Sequence, residues 1–134
     1  MSKAQLEISN IKTKMSNEVQ ITKHKFDLEE RTSIFAEEVI DFLKLLGSNP
    51  INRILISQLT RSACSIGANY MEADAAESKK DFKHKISICK KEAKETRHWL
   101  RMVAKANPDY QEKCRQLWRE AHELLLIFST ILKK

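Results

Sequence analysis

Between Pro50 and Pro108 the chain has no other proline and a single glycine, and its apolar residues recur at alternating steps of four and three until the repeat changes phase. Stepping from Leu55 gives Leu59, Ser62, Ile66, Asn69, Ala73 and Ala76. The same steps carried on land on Lys80, Lys83, Ser87, Lys90, Lys94 and Arg97, which cannot face a core. The apolar line resumes instead at Phe82, Ile86, Cys89, Ala93, Thr96, Leu100 and Val103. A single helix over 51–106 would be about 84 Å long at ~1.5 Å per residue. The phase jump marks a chain reversal near Glu77 and Ser78, where Ser78 followed three residues later by Asp81 offers a new N-cap.

Two glycines and two prolines in 134 residues leave little room for β-turns, so the remaining boundaries fall where these residues stand. Asn49-Pro50 and Asn107-Pro108 each read as an N-cap with proline in the first turn. Asp27 with Glu30 reads as a capping pair, and Gly47 as the residue just past a helix end. The four-three step also runs through Leu28, Thr32, Phe35, Val39, Phe42 and Leu46, and through Tyr110, Cys114, Leu117, Ala121, Leu124, Phe128 and Ile131. Four amphipathic helices, about 28–46, 50–76, 79–106 and 108–132, satisfy one another in an all-α, antiparallel up-down-up-down four-helix bundle over residues 27–134. The alternative is an open helical hairpin that completes its core by association. Residues 1–26 carry five lysines and no sustained period, and read as a flexible basic arm.

Two residues of the second helix need a reason. Gly67 in mid-helix costs about 1 kcal/mol relative to alanine, which calls for the close approach of a neighbouring backbone. Asn69 sits on a core rung, where an unpaired amide costs roughly 1–3 kcal/mol, so it is expected to join a structural polar network that fixes register.

The net charge of +6 is local. Residues 78–105 hold Lys79, Lys80, Lys83, Lys85, Lys90, Lys91, Lys94, Arg97, Arg101 and Lys105 against Asp81, Glu92 and Glu95, while the first helix is acidic through Asp27, Glu29, Glu30, Glu37, Glu38 and Asp41. On the third helix Lys79, Lys83, Lys90, Lys94, Arg97, Arg101 and Lys105 fall on one line about 39 Å long, with Lys80 beside it. Such a ladder can track the phosphates of RNA or DNA without sequence-specific chemistry. The competing reading is a scaffold that docks a protein partner, its basic stripe engaging the acidic first helix of a neighbour. Trp99 and Met102 lie off the apolar line among arginines, and Trp118 is left over on the fourth helix; these three are the candidates for an oligomer interface.

Catalysis is not indicated. There is no Gly-rich phosphate loop, H-E-x-x-H or nucleophile elbow, and the Glu95-x-x-His98 spacing occurs once without facing glutamates, so neither metal nor cofactor is expected. Cys64, Cys89 and Cys114 form an odd set without C-x-x-C and read as core or boundary residues. No apolar run approaches the ~20 residues of a membrane span, and the first residues lack the apolar stretch of a secretory signal, so a cytosolic location and no membrane partner are expected.

Three runs carry a resemblance: Gln58-Leu59-Thr60-Arg61-Ser62-Ala63-Cys64-Ser65-Ile66-Gly67-Ala68-Asn69-Tyr70-Met71-Glu72-Ala73, Ser78-Lys79-Lys80-Asp81-Phe82, and Lys91-Glu92-Ala93-Lys94-Glu95-Thr96-Arg97-His98-Trp99-Leu100. Together with the opening Phe26-Asp27-Leu28-Glu29-Glu30-Arg31-Thr32, they resemble the four-helix-bundle proteins encoded in intervening sequences of bacterial 23S rRNA genes, over residues 26 to about 130. The resemblance implies a homopentamer with no established enzymatic activity, and kinship with the accessory variability determinant of diversity-generating retroelements, a basic pentameric bundle that binds nucleic acid and a reverse transcriptase. The motif residues Arg61, Ser65, Asn69, Tyr70, Glu72, Asp81, Glu92, Glu95 and Thr96 look like packing, capping and register determinants. A hairpin centred on the turn at Glu77 and Ser78 places Arg61 near Glu92, and an interhelical ion pair is expected there.

Overall fold

The computed structural model describes Ser2, Lys3, Gln5 and residues 20–134, with side chains of the latter segment placed from Leu28 onward. Four long helices follow in order: α1 Gln20–Leu43, α2 Pro50–Asp74, α3 Lys79–Ala106 and, after a 3₁₀ turn at Pro108–Tyr110, α4 Gln111–Leu132. No strand occurs among the described residues, and none of their helices is long and apolar enough to cross a membrane. The basic arm expected over 1–26 lies for the most part outside the described residues.

The reversal found from the phase jump is in place. The Ser78 Oγ accepts from the Asp81 backbone N–H at 3.0 Å with Ser78 in extended geometry, and α3 starts at Lys79. Asn49 caps α2 in the expected way, its Oδ1 accepting from the Asn52 N–H at 2.8 Å ahead of Pro50.

Other boundaries differ. Helix α1 begins at Gln20 and runs through Asp27, so Asp27 and Glu30 are not its cap; no glycine or proline in residues 20–26 stops the helix from extending. It ends at Leu43 rather than 46, the next residues tightening to i→i+3 bonds, Leu45 N–H to Phe42 O at 3.0 Å and Leu46 N–H to Leu43 O at 3.2 Å. Gly47 has no positive φ and is not a left-handed cap. Its carbonyl instead accepts from Asn52 Nδ2 at 2.8 Å. Asn107 makes no side-chain cap to the following turn. Its amide pairs reciprocally with that of buried Asn52, at 3.0 and 2.9 Å, and its Nδ2 also donates to Val103 O at 3.0 Å. The two interhelical loops at that end of the bundle are thereby tied together.

Partners descend along one helix as they ascend along its neighbour. Between α2 and α3, Arg61 meets Glu92, Ile66 meets Cys89 and Glu72 meets Lys85; between α1 and α4 with the 3₁₀ turn that leads into it, Arg31 meets Glu120 and Phe42 meets Tyr110. The two helices of each of these pairs therefore run in opposite directions. Helix α3 packs most extensively, on α2 and α4, whereas α1 lies on α2 and touches α4 along a sparser seam.

The core is close to the expected stripes: Leu28, Phe35, Val39 and Phe42 from α1, Ile86, Cys89, Ala93, Leu100 and Val103 from α3, and Cys114, Leu117, Ala121, Leu124 and Phe128 from α4. On α2 the stripe turns as it runs. Asn69 is half-buried, its Nδ2 donating to Ser65 O of its own helix at 2.8 Å, and Tyr70 takes the core position. The reason is geometric: a four-three step assumes 3.5 residues per turn, and a straight helix of 3.6 drifts by about 20° per heptad. At Gly67 helix α2 lies close against Thr32 of α1. A Cβ there would sit 3.1 Å from Thr32 Oγ1 and 3.4 Å from Thr32 Cβ.

Candidate nucleic-acid interface

Helix α3 has two flanks of opposite character. Toward α2 it presents its glutamates, and they are neutralised. Arg61 Nη1 lies 3.3 Å from Glu92 Oε2, its other terminal nitrogen pairs with Glu95, and Glu72 holds Lys85 Nζ at 2.7 Å. Trp99 Nε1 also donates to Glu95 Oε1 at 3.5 Å, so the carboxylate of the lone Glu-x-x-His spacing is already occupied. Buried Thr96 and Ser62 hydroxyls are hydrogen-bonded at 2.9 Å, and small side chains allow this close contact.

The opposite flank, toward α4 and solvent, is cationic. Lys79, Lys80, Lys94, Arg101 and Lys105 are exposed, Lys83 and Lys90 half-buried, and among the described residues none of the seven enters an ion pair. Leaving so many cations unneutralised on one face creates a positive field that exposed pairs elsewhere do not cancel. Arg97 is different from the rest of its line. Its guanidinium carbon lies 5.2 Å from the Trp118 ring centroid, Nη1 is 2.8 Å from His122 Nδ1, and Nε is buried with no hydrogen-bond partner. Since an arginine nitrogen can only donate, His122 Nδ1 must be the acceptor and its proton sits on Nε2. His122 in turn stacks on Trp118, with centroids 5.0 Å apart and planes inclined by 14°. Arg97 is thus an anchor between α3 and α4 and not a free rung of the ladder.

Helix α4 extends the cationic face in a way that counting charge segment by segment misses. Arg115, Trp118, Arg119 and His122 recur at steps of three and four beside the core stripe of α4, a spacing that sequence inspection could have picked out. Arg115 holds only the exposed Glu112 at 2.8 Å, and Arg119 is exposed. Between Arg115 and α3 lies an open groove of about 320 Å³ lined by Leu100, Arg101, Ala104, Gln111, Cys114, Arg115 and Trp118.

The three interface candidates are half-buried against the core: Trp99, Met102 and Trp118. The large apolar side chains left in water are instead Leu45, Ile51 and Ile54, each more than 60% exposed, with Met71, Leu126 and Ile40 less so. Cys64 is exposed, whereas Cys89 and Cys114 are buried, and burial pushes their thiols up to about 12 and about 11.

Residues 24–129 match the family model of the 23S rRNA-intervening sequence proteins. The chain is also similar to the crystal structure of a protein of unknown function from the S23 ribosomal protein family of Bacteroides thetaiotaomicron, with a TM-score of 0.71 and 29% identity over 80% of this chain and 99% of that one. No curated protein matches the sequence.

Proposed function

The chain belongs to the 23S rRNA-intervening sequence protein family, and from that premise we propose that it is a non-enzymatic binding protein which holds RNA or DNA by its backbone phosphates along α3, aided by the cations of α4. One observation carries this reading: the glutamates of α3 are paired on the α2 flank, and the seven free cations stand on the other. Phosphate contacts supply affinity without sequence preference, and each contributes about −0.9 to the slope of log affinity against log salt on duplex DNA. The test is binding to a generic hairpin RNA and a DNA duplex at low and high salt. Reversing Lys83, Lys90, Lys94 and Arg101 to glutamate, with Arg97 left in its packed position, is expected to weaken binding strongly and to flatten the slope of what remains. Absence of binding at low salt, or binding indifferent to the reversals, defeats the reading.

A second reading, of a scaffold assembled from several copies, is supported by the exposed Leu45, Ile51 and Ile54 at one end of the bundle. In that case the chain is a homo-oligomer, a pentamer by family resemblance, and native mass measurement reads the subunit number directly. If the charge reversals dissolve the oligomer, the basic stripe belongs to subunit contacts. A monomer at all concentrations removes the scaffold reading.

A further inference from the structure

A ladder of lysines contacts phosphates only, and so treats a duplex and a single strand alike apart from their charge density. The groove beside it is built differently. Leu100, Ala104 and Cys114 give it an apolar floor, Trp118 an aromatic wall, and Arg101 and Arg115 two guanidinium groups at its rim. Its volume of about 320 Å³ falls at the small end of ligand pockets, which run from roughly 300 to 1,000 Å³.

We infer that this groove between α3 and α4 receives one unpaired nucleotide of a bound strand, the base against Trp118 and the phosphate on Arg101 and Arg115. The inference rests on the nucleic-acid reading above and adds a preference to it: loops, bulges and ends over continuous duplex. A base inside a helix offers its edges and hides its faces, so only an unstacked one can lie against an indole. Guanidinium groups suit the phosphate because they are planar donors that bind its oxygens in pairs. Arg101 has no ion-pair partner among the described residues, and Arg115 has only Glu112, an exposed pair of little net strength that a phosphate can displace. The Gln111 amide adds a donor and an acceptor for a base edge. The indole is held in place before any ligand arrives. His122 stacks on it and the Arg97 guanidinium packs over it, while the ring also lines the groove. An aromatic wall fixed in this way loses little conformational freedom on binding.

The test uses Trp99→Phe, which leaves Trp118 as the sole tryptophan and alters the α2 flank only. The probes are an unstructured oligothymidine and a blunt DNA duplex of equal length, titrated at low salt. The single strand is expected to quench Trp118 emission while the duplex binds without quenching. Adding Trp118→Leu is expected to lower the ratio of single-strand to duplex affinity about tenfold, in keeping with the loss of one base stack. If both probes bind and neither quenches Trp118, the groove assignment falls and the phosphate ladder stands. If quenching occurs equally with both, the preference for unpaired nucleotides is wrong. If neither probe binds, the nucleic-acid reading itself fails. The quenching measurement needs no change at Trp118, so a Trp118→Leu protein that failed to fold would still leave the inference decided.

Discussion

At single positions the determining quantities are contact distance and desolvation. Gly67 was conspicuous in the sequence because alanine is about 1 kcal/mol better in a helix, but only the structure names its opponent. Thr32 is buried and β-branched, its hydroxyl donating to Leu28 O at 2.8 Å, so it cannot rotate away from a new Cβ at 3.1 Å. Gly67→Ala is therefore expected to destabilise by about 1 kcal/mol, and in a Thr32→Ala background to stabilise by a similar amount, as read from urea unfolding. The thiols separate in the same way. Cys64 should react with a thiol reagent in the native protein, and Cys89 and Cys114 only on unfolding. Asn52, by contrast, gave no signal in the sequence. It is 1% exposed, accepts from and donates to Asn107, and also serves Gly47, so Asn52→Ala should cost about 2 kcal/mol by leaving buried amide and carbonyl groups unmet.

Among the helices, the sparse seam between α1 and α4 depends on a few long side chains. Arg31 grips Glu120 with two bonds, Nε to Oε2 at 2.8 Å and Nη2 to Oε1 at 2.7 Å, and reaches Glu123 Oε2 at 2.6 Å. The hydrogen bond to Glu120, opposed by partial burial and aided by the charges of both glutamates, holds the guanidinium pKa above its ordinary value. The group is still about a quarter exposed, so screening limits the gain. A double-mutant cycle of Arg31→Gln with Glu120→Gln should give a coupling of about 1 kcal/mol, accompanied by faster amide exchange in α1 than in α3. The existence of each helix was readable from apolar spacing alone, and the α2–α3 reversal from its phase. The start of α1 was not, because an Asp-x-x-Glu pair caps a helix only if the chain before it leaves the helix, and residues 20–26 contain nothing that forces it to.

For the molecule as a whole, stability and charge respond to pH and salt through groups already named. Thiols raised to about 12 and about 11 stay protonated in the folded state, while an unfolded thiol ionises near 8.5. Their contribution is complete below that value and is lost as pH rises toward 11–12, so the unfolding midpoint should fall over this window. Replacing Cys89 and Cys114 with alanine should flatten that fall, although it lowers stability at neutral pH. By itself the sequence determined that the chain forms helices, where most of them meet, which side chains face inward, and that the positive charge is concentrated on the third. Those properties follow from local spacing, and spacing is written in one dimension. The Arg61–Glu92 pair was expected from the hairpin register, but only the tertiary structure decided that Glu95 shares Arg61 and that Lys85 turns to Glu72 of α2. It also decided that Arg97 is an anchor on Trp118 and that α4 lends its arginines to the same face. Each of these depends on which flank of a helix meets which neighbour, a choice made by packing whole faces together, and no single helix carries it.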